Sequence, residues 1–303
     1  MSMRLQTYAG VIFGLALVLL SGCEQNSMTS GPIFFEFRQQ PGDKYHYTVH
    51  DEVNWRLEFD DGKTKSYQRW QLQKSVMKFN SIDSNAVRDI DLNFTVVFDS
   101  FATEMPWMKG NPSREGHCYD LKLQMRPNGD ILTVESADPR LTFFFNSGYR
   151  PSQLVFPAKA VAVGDSWQHS TMVPVPSGEP AQVKSHYTFE GIERIGDFDC
   201  AVILFEAAIE FQEVMEENAE NKSEEYDYRT YNCRTTSAGR LYFAFREGFV
   251  LKKTNMLNSN ANSCQVTNGE SRINSQTKMQ DAEKIILTQI TRSTGEIVKF
   301  EIE

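Results

Sequence analysis

The chain has 303 residues, 40% of them hydrophobic and 23% charged, with 31 Lys and Arg against 40 Asp and Glu for a formal charge of −9. This length suits one large domain or two ordinary ones, and the apolar share excludes wholesale disorder. The acidic balance excludes nucleic acid as a partner, because a phosphate backbone calls for a concentrated basic surface.

The first element is an address. One cation, Arg4, precedes an uncharged apolar run from Ala9 to Leu20, too short to cross a bilayer comfortably but the right length for a signal-peptide core. Leu20, Ser21, Gly22 and Cys23 follow. They resemble the lipobox of bacterial lipoproteins, in which small residues precede the cut and the cysteine thiol carries the diacylglycerol. Residues 1–22 are therefore expected to be a removed signal peptide, with Cys23 lipidated. The resemblance also implies an outer-membrane address facing the periplasm, since Glu24 stands where an Asp would mark inner-membrane retention. Residues 23–32 are polar and small and read as a tether of at most ~30 Å.

From Phe34 onward the dominant period is two. Tyr45, Tyr47 and Val49 alternate with polar residues, as do Val53, Trp55, Leu57 and Phe59. Asp60-Asp61-Gly62 then marks a turn into a second strand from Tyr67 to Met77, and Ile90 to Phe98 forms a third. Further hairpins are predicted across Pro127-Asn128-Gly129-Asp130, across Glu247-Gly248, and at the C-terminus around Ser293-Thr294-Gly295. A short helix is predicted over 138–147, with Ser136 or Asp138 as its cap and Pro139 early. Residues 213–227 hold seven acids against Lys222, and two readings stand: a cation- or partner-binding loop, or a solvated hairpin tip. Asn258 to Asn274 reads as another loop. The fold class expected is mainly β: antiparallel sheets in a curved sandwich or half-barrel.

Two stretches look alike. Gly42-Asp43 with Tyr45 opens the first, and Gly164-Asp165 with Trp167 opens the second. Each continues to a tyrosine, a turn and a strongly alternating strand. The readings are an internal duplication, with halves at 33–155 and 156–303, or two unrelated Gly-Asp turns. The stretch Phe156-Pro157-Ala158-Lys159-Ala160-Val161-Ala162-Val163-Gly164-Asp165-Ser166-Trp167 resembles a segment of a group of bacterial cell-envelope lipoproteins with strand-rich repeats. Tyr187 to Glu193 and Ser237 to Phe243 are similar to that group as well. The resemblance implies a location and a β architecture, and no activity.

Four cysteines remain in an oxidising compartment, which points to two disulfides with three possible pairings. Cys233 and Cys264 lie nearly symmetrically about Glu247-Gly248, so they are expected to pair, leaving Cys118 with Cys200. No catalytic template is complete. Phe59 to Thr64 lacks the first glycine of a phosphate loop, and Ser75/Lys78 and Ser275/Lys278 would face opposite ways on a strand. The five histidines are scattered, so no metal site and no cofactor are expected. The role expected is non-enzymatic binding or envelope structure, with the membrane engaged through Cys23 and an envelope protein as candidate partner. The alternatives are a carrier or sensor of a lipid-like ligand in a β cavity, and a hydrolase of unrecognised site.

Overall fold

The computed structural model describes residues 31–58, 62–104, 113–138, 141–142, 145, 150–173, 180–217, 227–266 and 284–301. The period-two segments become eleven strands: β1 (Lys44–Glu58), β2 (Thr64–Ile82), β3 (Arg88–Thr103), β4 (Cys118–Met125), β5 (Ile131–Glu135), β6 (Ser166–Val173), β7 (Ala181–Ile195), β8 (Phe198–Glu217), β9 (Asp227–Ala244), β10 (Phe249–Val266) and β11 (Lys284–Glu301). All lie in one open sheet of order β5-β4-β3-β2-β1-β11-β10-β9-β8-β7-β6. Every neighbouring pair is antiparallel. Residues Ile33–Glu303 form one compact unit. The two halves contribute strands to opposite flanks, β1–β5 and β6–β10, and β11 joins the flanks by pairing with both β1 and β10.

The two flanks repeat each other in detail. Gly42 and Gly164 both take positive φ, 100° and 92°, a conformation that glycine adopts without a Cβ clash. Gly42 N–H donates to Phe79 O and Gly164 N–H to Phe189 O. Asp43 N–H donates to Gln40 O and Asp165 N–H to Ala162 O. Each aspartate closes its own turn by accepting from the backbone N–H three residues earlier, Gln40 or Ala162, at 2.8 Å. The β2 ladder then bulges between Phe79 and Ser81, and the β7 ladder between Phe189 and Gly191. Both halves therefore run Gly-Asp turn, strand, bulged strand, strand, strand, glycine turn, strand.

Side chains on the concave face at the Gly-Asp end make the core. Tyr45, Phe79, Ile90 and Leu123 from one half match Trp167, Phe189, Ile203 and Leu241 from the other, all buried. The segments ahead of the two Gly-Asp turns drop Phe35, Phe37 and Phe156 into the centre, where they meet Phe243 at centroid distances of 6.1, 5.3 and 4.7 Å. Each such ring contributes ~1.5–3 kcal/mol by leaving water. Ten described phenylalanines are buried in this way, while Phe34 and Phe98 stay exposed.

Several expectations need correction. The predicted C-terminal hairpin is one strand: Ser293, Thr294 and Gly295 pair with Asp51, His50 and Val49 on one side and with Asn255, Thr254 and Lys253 on the other. Ladders on both sides override the turn propensity of Ser-Thr-Gly. For the same reason residues 258–266, read as loop, are strand within β10, flanked by β9 and β11. Glu213 to Glu217 belong to β8, while 218–226 lie outside the described residues. Most of the predicted helix 138–147 also lies outside them; of its described members Leu141, Thr142 and Phe145 are helical and Asp138 is a bend.

Candidate functional site

The concave face changes character away from the Gly-Asp end. In register above the aromatic core come Ser185 on β7, Ser237 on β9 and Asn255 on β10, with Asp51 on β1 and Gln71 and Gln73 on β2 across the sheet. Strand alternation places these residues on the core side, and they are polar. Ser237 donates to Asn255 Oδ1 at 2.8 Å, and Gln73 Nε2 donates to Asp51 Oδ2 at 2.9 Å. Arg69 on β2 forks onto Asp99 on β3 at 2.7 and 2.6 Å, and Arg114 N–H reaches the same carboxylate. Burial alone would raise the Asp99 pKa, but those donors outweigh it and hold the carboxyl below its usual range. Two buried donors on this face, Trp55 Nε1 and Gln71 Nε2, have no partner. The surface offers hydrogen bonds to a polar ligand or partner segment rather than an apolar pocket.

At the boundary between core and polar face sits a serine–lysine pair. Arg150–Ser152 is a single 3-10 turn in the connector between the halves. Lys253 Nζ on β10 donates to Ser152 Oγ at 2.6 Å and to Ser152 O at 2.8 Å, and lies 5.4 Å from the Phe205 ring. Burial lowers this lysine to about 7. The pairing of types is that of a serine nucleophile and its base. The serine is 2% exposed, however, and the ammonium grips its carbonyl as firmly as its hydroxyl. The arrangement fastens the connector to β10. No sequence spacing could have flagged it, because the partners are far apart in the chain.

The connector makes further fixed contacts. Trp167 Nε1 donates to Val155 O at 2.7 Å, and Tyr187 Oη donates to Gln153 O. Burial pushes Tyr187 up to about 12. The motif residues Gly42, Asp43, Tyr45, Gly164, Asp165 and Trp167 thus build turns and core.

The cysteines do not pair as expected. Cys118 is a free, exposed thiol at the start of β4, and Cys200 is free and buried at the start of β8. Burial and nearby Glu247, Asp199 and Glu193 push the Cys200 thiol up to about 11. The elimination that joined them used only an even count, which carries no geometry. Strands β9 and β10 do pair about Glu247-Gly248, but the register sets Cys233 opposite Ala261 and Cys264 opposite Thr230. Three positions, ~10 Å along a strand, exceed the ~7 Å Cα separation a disulfide spans. Leu20, Ser21, Gly22 and Cys23 lie outside the described residues. Among the described residues no group of three or more His, Cys, Asp or Glu is placed to hold a metal ion.

No family model matches the chain, and no curated protein does. Among solved structures, a candidate exported protein with a YmcC-like fold from Bacteroides fragilis covers 89% of this chain and 100% of its own at 10% identity, with a TM-score of 0.28. OccK7 (OpdD) from Pseudomonas aeruginosa covers 85% and 100% at 7% identity, with a TM-score of 0.23. Likenesses at this level leave the function to be argued from the chain's own residues.

Proposed function

We propose that the protein is a lipid-anchored component of a bacterial cell envelope, held to the outer membrane through Cys23 and facing the periplasm, with a non-enzymatic binding or scaffolding role. It would belong with the cell-envelope lipoproteins that its Gly164-Asp165-Ser166-Trp167 segment resembles. The observation that carries the reading is the order of parts: an apolar signal core, Leu20-Ser21-Gly22-Cys23, a short polar tether, and a compact unit beginning at Ile33. Acyl chains on one cysteine would give stable anchoring, at ~0.8 kcal/mol per buried methylene. The role is supported by a core whose aromatic rings pack on each other, and by a concave face that presents Asn255, Gln71 and Gln73 rather than an apolar lining. That composition favours a polar partner or ligand over a lipid-like cargo, and the one serine paired with a buried lysine, Ser152, is itself buried and fastens the connector.

The test is Cys23→Ser in the native host. The variant is expected to leave the membrane fraction, or to keep its signal peptide, and to lose incorporation of labelled fatty acid. Unchanged fractionation and labelling would overturn the anchoring. Native mass spectrometry of the purified protein tests the role: a clean polypeptide mass is expected, and a discrete lipid adduct would return the carrier reading.

A further inference from the structure

The sheet has one interruption in its ladder among the described strands. Neighbours alternate in direction, so the edge strands β5 and β6, first and eleventh in order, run the same way. An all-antiparallel ring needs an even number of strands, and among the described strands none separates β5 from β6. The repeat makes the gap specific. On the opposite side, β1 and β10, the counterparts of β6 and β5, have β11 between them and hydrogen-bonded to both.

What joins β5 to β6 is a set of side chains. The Arg150 guanidinium donates to Ile131 O on β5 through one nitrogen and to Met172 O on β6 through the other, the latter at 3.5 Å. His169 Nε2 on β6 stands 3.7 Å from Asp130 Oδ1 at the foot of β5. Neither Arg150 Nε nor His169 Nε2 has a hydrogen-bond partner, though both are buried. Elsewhere neighbouring strands are joined by backbone ladders, bulged in places, and β1 and β10 have 15 and 18 residues against 5 and 8 for β5 and β6. Such an edge opens at lower cost than the rest of the sheet.

We infer that the half-barrel opens along the β5–β6 seam and that Arg150 is the clasp that holds it shut. Parting the two edges uncovers the core side of the connector, including Gln153, the Tyr187 of β7 that donates to it, and the inner face of β6, without breaking any strand pair. The inference rests on the fold and goes beyond the anchoring and binding proposed above.

Amide hydrogen exchange on the full chain tests it. In Arg150→Met, which keeps the bulk but spans no carbonyls, amides of 131–135 and 166–173 are expected to exchange about tenfold faster or more, while 200–209 and 235–244 keep their rates. Arg150→Lys, a point charge unable to bridge both edges, is expected to fall between. Equal acceleration in every strand, or none anywhere, would overturn the clasp. Should Arg150→Met fail to fold, Leu132→Cys with Met172→Cys in a Cys118→Ser background, joined by a short bis-maleimide, supplies the converse. The cross-link is expected to slow exchange in β5 and β6 selectively, and unchanged rates there would overturn the seam.

Discussion

At the scale of the residue, Lys253 is the most consequential single side chain. Its ammonium is anchored on Ser152, and burial lowers its pKa from 10.5 to about 7. Between those two values the unfolded chain binds the proton and the folded chain has begun to lose it. Stability therefore rises with pH from about 7 to about 10.5 on this group's account, and the penalty is full below 7. Lys253→Met should flatten that part of the profile. Urea midpoints at pH 7 and pH 9.5 check it: the wild type is expected to gain more on raising the pH than the variant, and equal gains would reassign the effect. The sequence could not show this lysine's role, because it depends on Ser152, 101 positions away in the chain.

At the scale of the element, the two glycine turns before β5 and β10 are each held by a glutamine distant in the chain. Gln153 Nε2, ahead of the second Gly-Asp turn, donates to Gly129 O in the first half, and Gln39 Nε2, ahead of the first, donates to Gly248 O in the second at 2.8 Å. The glycines have φ of 92° and 81°. A Cβ at Gly129 would strike Leu154 O and the Phe37 ring, and one at Gly248 would come within 2.6 Å of Arg38 Cβ and backbone N. Strain and collision add, so Gly129→Ala and Gly248→Ala should each cost ~2–4 kcal/mol. Chemical denaturation checks this, and a loss below ~1 kcal/mol at either site would show that the turn relaxes. The Asn128-Gly129 and Glu247-Gly248 turns were legible because glycine and asparagine signal them locally. The continuity of β11 through Ser293-Thr294-Gly295 was not, because two flanking strands impose it.

At the scale of the whole molecule, the halves 33–155 and 156–303 are related in structure yet complete each other. The first leaves one edge of β1 unpaired unless β11 arrives from the second, and Gln39 of the first caps the glycine turn at Gly248 in the second. Phe35 and Phe37 of the first pack on Phe243 of the second. Fragments 1–155 and 156–303 expressed apart should accordingly lack cooperative unfolding transitions, and mixing them should restore one. Circular dichroism melts decide it, and a cooperative melt from either fragment alone would show that the halves are independent domains.

The strand-rich class, most of the hairpins, the turn glycines and the likeness of the two Gly-Asp segments were all legible along the chain. All of these rest on local chemistry: alternation of side chains and backbone angles open to glycine. Only the tertiary structure decided that the likeness extends to matched hydrogen bonds and bulges, that Cys118 and Cys200 stay apart, and that Arg150 spans two strand edges. Pairing register and the meeting of distant segments set these, and they follow from burying one shared aromatic core rather than from any short stretch of chain.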